Sequence, residues 1–203
     1  MKDPIAEGSY TFADYFKMNA EIDDVLAHFG YSFVAKMCTL PSRELDRACL
    51  VDVRSRLEES LPYLSLSNET ARREFLISPV LLETVRHSHA KLRVEYPLEV
   101  NDQLKGTLDY FLRAKHNVLI IEAKNADLQR GFTQLAVELV ALDRWFGDEE
   151  AEELLYGVVS TGDAWRFGFL EREAQRVTLD LNHYRVPADF EELVGILVAI
   201  LTD

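Results

Sequence analysis

An aspartate, a glutamate and a lysine stand close together in the sequence, at Asp109, Glu122 and Lys124. Carboxylate oxygens are the ligands that hard divalent cations such as Mg²⁺ and Mn²⁺ prefer. Such a cation activates a water molecule and neutralises charge on a phosphate. A neighbouring ammonium group can orient that water or hold the phosphate. If the three side chains converge, they suit metal-assisted hydrolysis of a phosphodiester bond.

The residues around these three predict a β-hairpin that would bring them together. The run Val118–Ile121 is rich in β-branched residues and predicts a buried strand. Because side chains alternate between faces along a strand, Glu122 and Lys124 share one face while Ala123 points away. The preceding segment alternates in the same manner and carries Asp109 on its odd-numbered face.

The turn between the two strands decides which residues stand opposite each other. A two-residue turn at Lys115-His116 would place Asp109 opposite Glu122, whereas a turn at His116-Asn117 would place Asp109 opposite Lys124. A three-residue loop would send Asp109 to the other face, because a slip of one residue inverts a strand. Both even registers remain open from the sequence.

Length and composition predict one domain over residues 1–203, since 203 residues with 48% hydrophobic content can form a full core. The longest apolar run, residues 194–201, is too short to cross a bilayer. The first residues show no secretory signal pattern. Two cysteines, Cys38 and Cys49, lack the spacing of metal ligands. We therefore expect a reduced cytoplasmic protein with no membrane partner.

Hydrophobic periodicity predicts the elements around the hairpin. Helices are predicted over residues 10–29, 45–61, from Ser67 onward with a break at Pro79, 127–146 and 189–201. Further strands are predicted over residues 31–40, 92–100, 154–159, 164–170 and 177–181. The middle and end of the chain thus read α-β-β-β-α-β-β-α, which indicates an α/β protein with a mixed sheet flanked by helices.

This arrangement resembles the PD-(D/E)xK restriction-endonuclease-like nuclease superfamily, whose core is αβββαβ. The residues that carry the resemblance are Glu69 on a helix, Gly106-x-x-Asp109 on one strand, Glu122-x-Lys124 on the next strand, and Gln134 on the following helix. It extends over residues 67–172. Residues 1–62 then form a mainly helical N-terminal extension, and residues 63–203 form the nuclease-like core with a C-terminal helix.

The resemblance implies a metal-dependent nuclease. Asp109, Glu122, the carbonyl of Ala123 and Glu69 would bind one or two Mg²⁺ or Mn²⁺ ions. Lys124 would orient or deprotonate the attacking water, or hold the phosphate. Gln134 would contact the backbone or the metal-bound water.

Two features of the sequence depart from this pattern or leave it open. Leu108 stands where many members have proline, and Glu138 stands where a subgroup related to recombination exonucleases has tyrosine. Glu69, Glu74 and Glu83 lie on one helical stretch, and the sequence does not decide which of them faces the site.

The net charge of −13 opposes binding to a polyanion, because affinity for nucleic acid depends on Lys and Arg at phosphates. The charge is uneven: residues 72–130 hold 10 Lys and Arg against 8 Asp and Glu, and the remainder holds 12 against 27. The basic residues proposed to contact phosphates are Arg72, Arg73, Lys105, Arg113, Lys115 and Arg130. The acidic run at residues 148–153 is interpreted as a solvated loop.

We expect nucleic acid as the partner, with DNA preferred and RNA left open by the sequence, and a homodimer would suit the cutting of both strands. The acidity keeps two alternatives open. One is a catalytically inactive module of the same fold that binds protein or nucleic acid. The other is an ordinary α/β protein with a coincidental motif.

Overall fold

A computed structural model describes Ile5 and residues 8–115, 117–147 and 153–203. His116 of the predicted turn and residues 148–152 of the acidic run lie outside the described residues. The helices are α1 Phe12–Lys17, α2 Ile22–His28, α3 Arg47–Ser60, α4 Glu69–Arg72, α5 Ser78–Ser88, α6 Leu128–Phe146 and α7 Phe190–Thr202. The strands are β1 Ser32–Lys36, β2 Lys91–Asn101, β3 Leu104–Ala114, β4 Asn117–Ala123, β5 Leu154–Ser160, β6 Ala164–Glu171, β7 Arg176–Asp180 and β8 Tyr184–Arg185.

Within the described residues, eight strands form one mixed sheet in the order β1-β7-β6-β5-β4-β3-β2, with β8 also paired to β6. Strands β2, β3 and β4 are antiparallel, β5 runs parallel to β4, and β6 and β7 return antiparallel. This confirms the predicted α/β class with a mixed sheet and flanking helices. From α5 to β5 the elements follow the order αβββαβ.

The segment expected to be a helical extension also contributes to the sheet. Its strand β1, inside the predicted range 31–40, pairs parallel with β7 and forms one edge. The single helix predicted over residues 10–29 is two helices, α1 and α2, separated by residues 18–21. None of the described helices is long and apolar enough to cross a membrane.

Two apolar cores lie on opposite faces of the sheet. Helix α6 packs on one face with α1 and α2, and α5 and α7 pack on the other. Every residue of α6 from Gly131 to Leu142 is buried. An amphipathic surface helix buries only one stripe, but α1 and α2 cover the side of α6 that faces away from the sheet. Polar residues of α6 in this stretch are therefore buried as well.

The helix predicted from Ser67 is interrupted before Pro79. Helix α4 is capped by the Asn68 side chain, which accepts a hydrogen bond from the Ala71 N–H at 2.8 Å. A π-helical turn, Arg73–Ile77, then leads into α5. Such wide turns occur where a regular helix is disturbed, often at functional sites. Phe75 on this turn is exposed.

Strand β2 changes the face on which its even-numbered residues lie. Leu92 packs with the core around α5 and α7, whereas Tyr96 and Leu98 pack with the core around α6. Between them, Glu95 has a positive φ of 53°. The prediction that residues 92–100 alternate uniformly is therefore wrong. The reversal lies beside Asp109, because the residues on either side of Glu95 pair with the residues on either side of Asp109 on β3.

Candidate active site

The hairpin adopts the register expected for a turn at Lys115-His116. Ala114 pairs with Asn117, and the ladder continues to the pair Tyr110 and Ile121. Lys115, the described residue of the turn, has the positive φ that such a turn requires. This register places Asp109 and Glu122 at the same end of the hairpin.

The three predicted groups converge at this end. The Asp109 carboxylate accepts a hydrogen bond from the backbone N–H of Ala123 at 2.8 Å. The Lys124 ammonium donates to Oε1 of Glu122. The side chains of Asp109, Glu122 and Lys124 are 15%, 3% and 13% exposed, respectively. An ammonium and two carboxylates thus share a partly enclosed space at the ends of two adjacent strands.

Helix α6 supplies a second layer of polar side chains above Glu122. The Gln134 amide donates to Oε1 of Glu122 at 2.7 Å and to Oε1 of Glu138 at 2.8 Å. Glu138, which the sequence reasoning did not propose for the site, is 1% exposed. Its only sequence signal is the spacing of one helical turn from Gln134, which places both on one face of α6.

The close approach of α6 to the sheet depends on Gly131. A Cβ at this position would lie 2.7 Å from Cγ2 of Val159 and 2.9 Å from Cγ of Lys124. Both distances are too short for carbon atoms in contact. The absence of a side chain at Gly131 therefore lets the first turns of α6 pack directly over β4 and β5, beside the Lys124 stem.

Of the three candidate glutamates, Glu69 is the one at the site. It lines a 360 Å³ cavity together with Lys124, Gln134 and Phe16 of α1. Burial raises the Glu69 pKa, and the nearby charge of Asp109 raises it further. The other two lie elsewhere: Glu74 is exposed, and Glu83 contacts Arg86 and His87 on its own helix.

Arg73, predicted to contact phosphate, points into the site from the π-helical turn. Its guanidinium lies 2.7 Å from Glu95 and 3.5 Å from Oδ1 of Asp109, and it donates to the Tyr110 hydroxyl at 3.1 Å. Glu95, the residue at the face reversal, is thus a further acidic group at the site that sequence reasoning missed. Its positive φ is not visible in the sequence.

The site holds more carboxylates than positively charged groups to balance them. Burial raises the pKa values of Asp109, Glu122 and Glu138, and the mutual repulsion of the carboxylates adds to this. Glu122 Oε2 and Gln134 Oε1 are buried and have no hydrogen-bond partner within the described structure. Buried acceptors of this kind are normally satisfied by a donor, a water or a cation.

No three His, Cys, Asp or Glu side chains among the described residues lie together as a ready metal-binding group. One oxygen of each central carboxylate is engaged: Oε1 of Glu122 by Lys124, and Oδ2 of Asp109 by the Ala123 N–H. Of the other two oxygens, Oδ1 of Asp109 faces Arg73 at 3.5 Å, and Oε2 of Glu122 remains for another partner.

The remaining phosphate-contact candidates are dispersed. Arg72 is held internally by Asp163 and the Thr161 carbonyl. The others are mostly on the surface: Lys105 pairs with Asp102, Arg130 pairs with Asp127, Arg113 lies over the Phe146 ring, and Lys115 is exposed. At about 3.4 Å per residue, Lys115 is roughly 20 Å along the strand from Asp109. Among these candidates, Arg73 is the one with a contact to a central carboxylate in the described structure, at Asp109.

The chain matches no family model, and no similar curated protein or solved structure was found. The arguments for function therefore rest on the geometry of this site.

Proposed function

We propose that this chain is a metal-dependent nuclease that hydrolyses phosphodiester bonds of nucleic acid, with DNA as its substrate. The convergence of Asp109, Glu122 and Lys124 at one end of the β3–β4 hairpin carries the proposal. The αβββαβ order from α5 to β5 supports the resemblance to restriction-endonuclease-like nucleases.

The donor set fits Mg²⁺ or Mn²⁺. Asp109, Glu122 and Glu69 offer hard carboxylate oxygens, which these ions prefer, and the Ala123 carbonyl would add a fourth ligand. Oε2 of Glu122 is buried without a partner, and burial raises the pKa of this carboxyl. A cation at this point would stabilise the ionised carboxylates. When bound, the metal would supply an activated water and neutralise charge on the scissile phosphate.

The protonation of Lys124 argues against one of its three predicted roles, the deprotonation of the attacking water. Burial lowers the pKa of Lys124, but the charge of Glu122 and the hydrogen bond to it outweigh burial, so the pKa is raised. A lysine that holds its proton this firmly is a poor general base. Lys124 therefore holds the phosphate or stabilises its developing charge, as a fixed positive group does in a preorganised site.

Gln134 and Glu69 position the reacting groups. The Gln134 amide fixes the orientation of Glu122 through a bond to Oε1. Glu69 lines the same cavity as Lys124, so a water or phosphate oxygen bound there would be within reach of both side chains. The positive charges available to a phosphate at this point are Lys124 and Arg73.

The second candidate function is a non-catalytic module that keeps this arrangement and binds a partner. It is favoured by the net charge of −13, which weakens contact with a polyanion, and by the direct bond between Lys124 and Glu122. Calorimetry with Mn²⁺ separates the two. A nuclease site binds the metal and loses binding in Asp109→Ala, whereas a module without a metal site shows no binding in either protein.

The deciding experiment is cleavage of plasmid DNA, circular single-stranded DNA and RNA with Mg²⁺ or Mn²⁺. We expect metal-dependent cutting by the wild type and its loss in Glu122→Gln and Lys124→Met. Glu69→Gln should reduce cutting, and Glu83→Gln is its matched control, because Glu83 lies on α5 away from the site. Cutting that persists in Glu122→Gln would refute the assignment of the site, and cutting of no substrate would refute the nuclease.

A further inference from the structure

A second cavity of 530 Å³ adjoins the candidate active site at the first turn of α6. Asp127, the N-cap residue of α6, lines both cavities. The volume is within the about 300–1,000 Å³ range of small-molecule sites. It is bounded by α1, α2, α6 and the strands β1, β6 and β7. No part of the nuclease mechanism above uses it.

Arg166 on β6 lines this cavity and also lies in the same row of paired residues as Glu122. Glu122 pairs with Val159, and Val159 pairs with Arg166, so the three lie in one line across β4, β5 and β6. Paired residues share a face of the sheet, and adjacent strands are about 4.8 Å apart. Arg166 therefore stands roughly 10 Å from Glu122 on the same face. That separation suits a phosphate of the same strand other than the one being cleaved.

Arg166 has no carboxylate in direct contact with it in the described part of the chain. Within the described part of the chain its guanidinium forms no ion pair, and its buried Nε has no hydrogen-bond acceptor. Burial lowers the pKa of Arg166, and the charge of Asp180, which forms no ion pair with it, opposes this only in part. The half-buried Arg73 and Arg172, by contrast, are each held by carboxylates. A partly buried charge without a partner costs free energy, which an anionic ligand would offset.

A second arginine lines the same cavity. Arg130 is about half exposed, and its pair with Asp127 is long, at 3.5 Å. Exposed ion pairs contribute little, so Arg130 can turn toward a ligand at small cost. Gln129 and Thr133 on the same helix supply further hydrogen-bonding groups.

One side of the cavity wall is apolar and partly aromatic. Phe33 and Phe132 lie with ring centroids 6.4 Å apart, and Ile22 and Leu179 complete this side. Flat apolar groups stack on aromatic side chains, as nucleobases do in single-strand binding proteins. Glu21, also in the wall, would accept a hydrogen bond from a base or sugar rather than contact a phosphate.

We propose that this cavity binds one nucleotide, with its phosphate on Arg166 and Arg130 and its base against Phe33. The nucleotide would belong to the substrate strand, beside the scissile phosphate, and in that respect the inference rests on the proposed nuclease function. A free mononucleotide has the same chemistry, so it serves as the probe.

The test is calorimetric titration of dAMP, deoxyadenosine and inorganic phosphate into metal-free Glu122→Gln protein, in which cleavage plays no part. We expect dAMP to bind more tightly than either of its parts. Adding Arg166→Gln should weaken dAMP at least tenfold and leave deoxyadenosine unchanged. Arg56→Gln is the matched control, because Arg56 is exposed on α3 and pairs only with Asp52 and its own helix. Equal dAMP affinity with and without Arg166 would overturn the proposal, as would phosphate alone binding as well as dAMP.

Arg130→Gln provides a second variant on an exposed side chain, which keeps the test valid if Arg166→Gln does not fold. Kinetics on a short oligonucleotide then distinguish a nucleotide of the substrate strand from a free mononucleotide. A subsite for the substrate strand raises KM in Arg166→Gln and makes dAMP a competitive inhibitor. Noncompetitive inhibition by dAMP would overturn the substrate-strand assignment. Binding of dAMP without any cleavage by the wild type would refute the nuclease alone.

Discussion

The Asp109 carboxylate accepts a hydrogen bond from the backbone N–H of Ala123 at 2.8 Å, across the open end of the hairpin. The backbone ladder between the strands reaches Tyr110 and Ile121, so a side chain provides the next acceptor. Oδ1 of Asp109 faces Arg73 at 3.5 Å. The same residue thus closes the hairpin through one oxygen and presents charge to the site through the other, and the two roles can be separated.

Replacing Asp109 by Asn or Ala should separate these roles. Asp109→Asn keeps an acceptor for the Ala123 N–H but removes the charge, so we expect near wild-type stability with loss of Mn²⁺ binding and cleavage. Asp109→Ala also leaves that N–H unsatisfied, which should cost about 1–3 kcal/mol of unfolding free energy. Urea unfolding and Mn²⁺ calorimetry on both variants measure the difference. Full Mn²⁺ binding by Asp109→Asn would contradict its place among the ligands.

Lys124→Met should abolish cleavage while retaining the fold. Methionine matches the apolar stem of lysine beside Phe16, over whose ring the ammonium lies at 5.0 Å. Without the ammonium, the pKa of Glu122 rises further, because the charge of Lys124 and its hydrogen bond both lower it. We expect Mn²⁺ affinity to fall most at acidic pH and cleavage to fall at least a hundredfold, about the contribution of one preorganised charge. Lys91→Met, at the exposed start of β2, should change neither quantity.

Local features of the structure could be predicted from the sequence, whereas nonlocal features could not. The hairpin was foreseen because strand alternation and a two-residue turn are local, and the structure selects one of the two registers that the sequence left open. The choice of Glu69 over Glu83 depended on where the helix breaks, which Pro79 indicated only approximately. The break places Glu69 in α4, ahead of the π-helical turn, so the two glutamates lie on different helices.

The sequence contained no sufficient indication of Glu138, Glu95 and Arg166. Glu95 depends on a positive φ that the sequence does not show. The other two become conspicuous only when distant elements are assembled: Glu138 because α1 and α2 cover α6, and Arg166 because β5 inserts between β4 and β6. A glutamate in a helix and an arginine in a strand are ordinary surface residues by composition. Tertiary packing, which periodicity does not specify, is what buries them.

Gly131→Ala should impair both stability and cleavage. The added Cβ would meet Val159 and the Lys124 stem at under 3.0 Å, so either α6 shifts or Lys124 moves. Overpacking of this kind costs about 1–3 kcal/mol. Gly157→Ala is the matched control, because its Cβ would meet only the Leu135 side chain on α6 among its nearest atoms. We expect similar losses of unfolding free energy in both variants but a much larger loss of cleavage in Gly131→Ala. Equal losses of cleavage would show that Lys124 is not displaced.

The stability of the metal-free protein should fall as pH rises above the ordinary glutamate pKa of 4.5, and Glu138 should be one cause. Burial and the charge of Glu122 raise the Glu138 pKa well above its ordinary value of 4.5. Between the two values the folded state holds a proton that the unfolded state has released, so linkage makes the unfolding free energy decrease with pH. Stability from this group is present below its unfolded pKa and is lost as pH rises through the folded one.

Glu138→Gln tests this directly, because glutamine resembles the protonated acid: it accepts from Gln134 and offers donors toward Glu122. We expect urea unfolding to show a shallower decline with pH for Glu138→Gln, with a residual slope from Asp109 and Glu122, whose pKa values are also raised. The lowered pKa of His183 acts in the opposite direction but equally in both proteins. Glu83→Gln, at a partly buried glutamate remote from the site, should leave the slope unchanged. Mn²⁺ should restore stability at the alkaline end in the wild type. An identical slope in Glu138→Gln and wild type would refute a buried protonated Glu138.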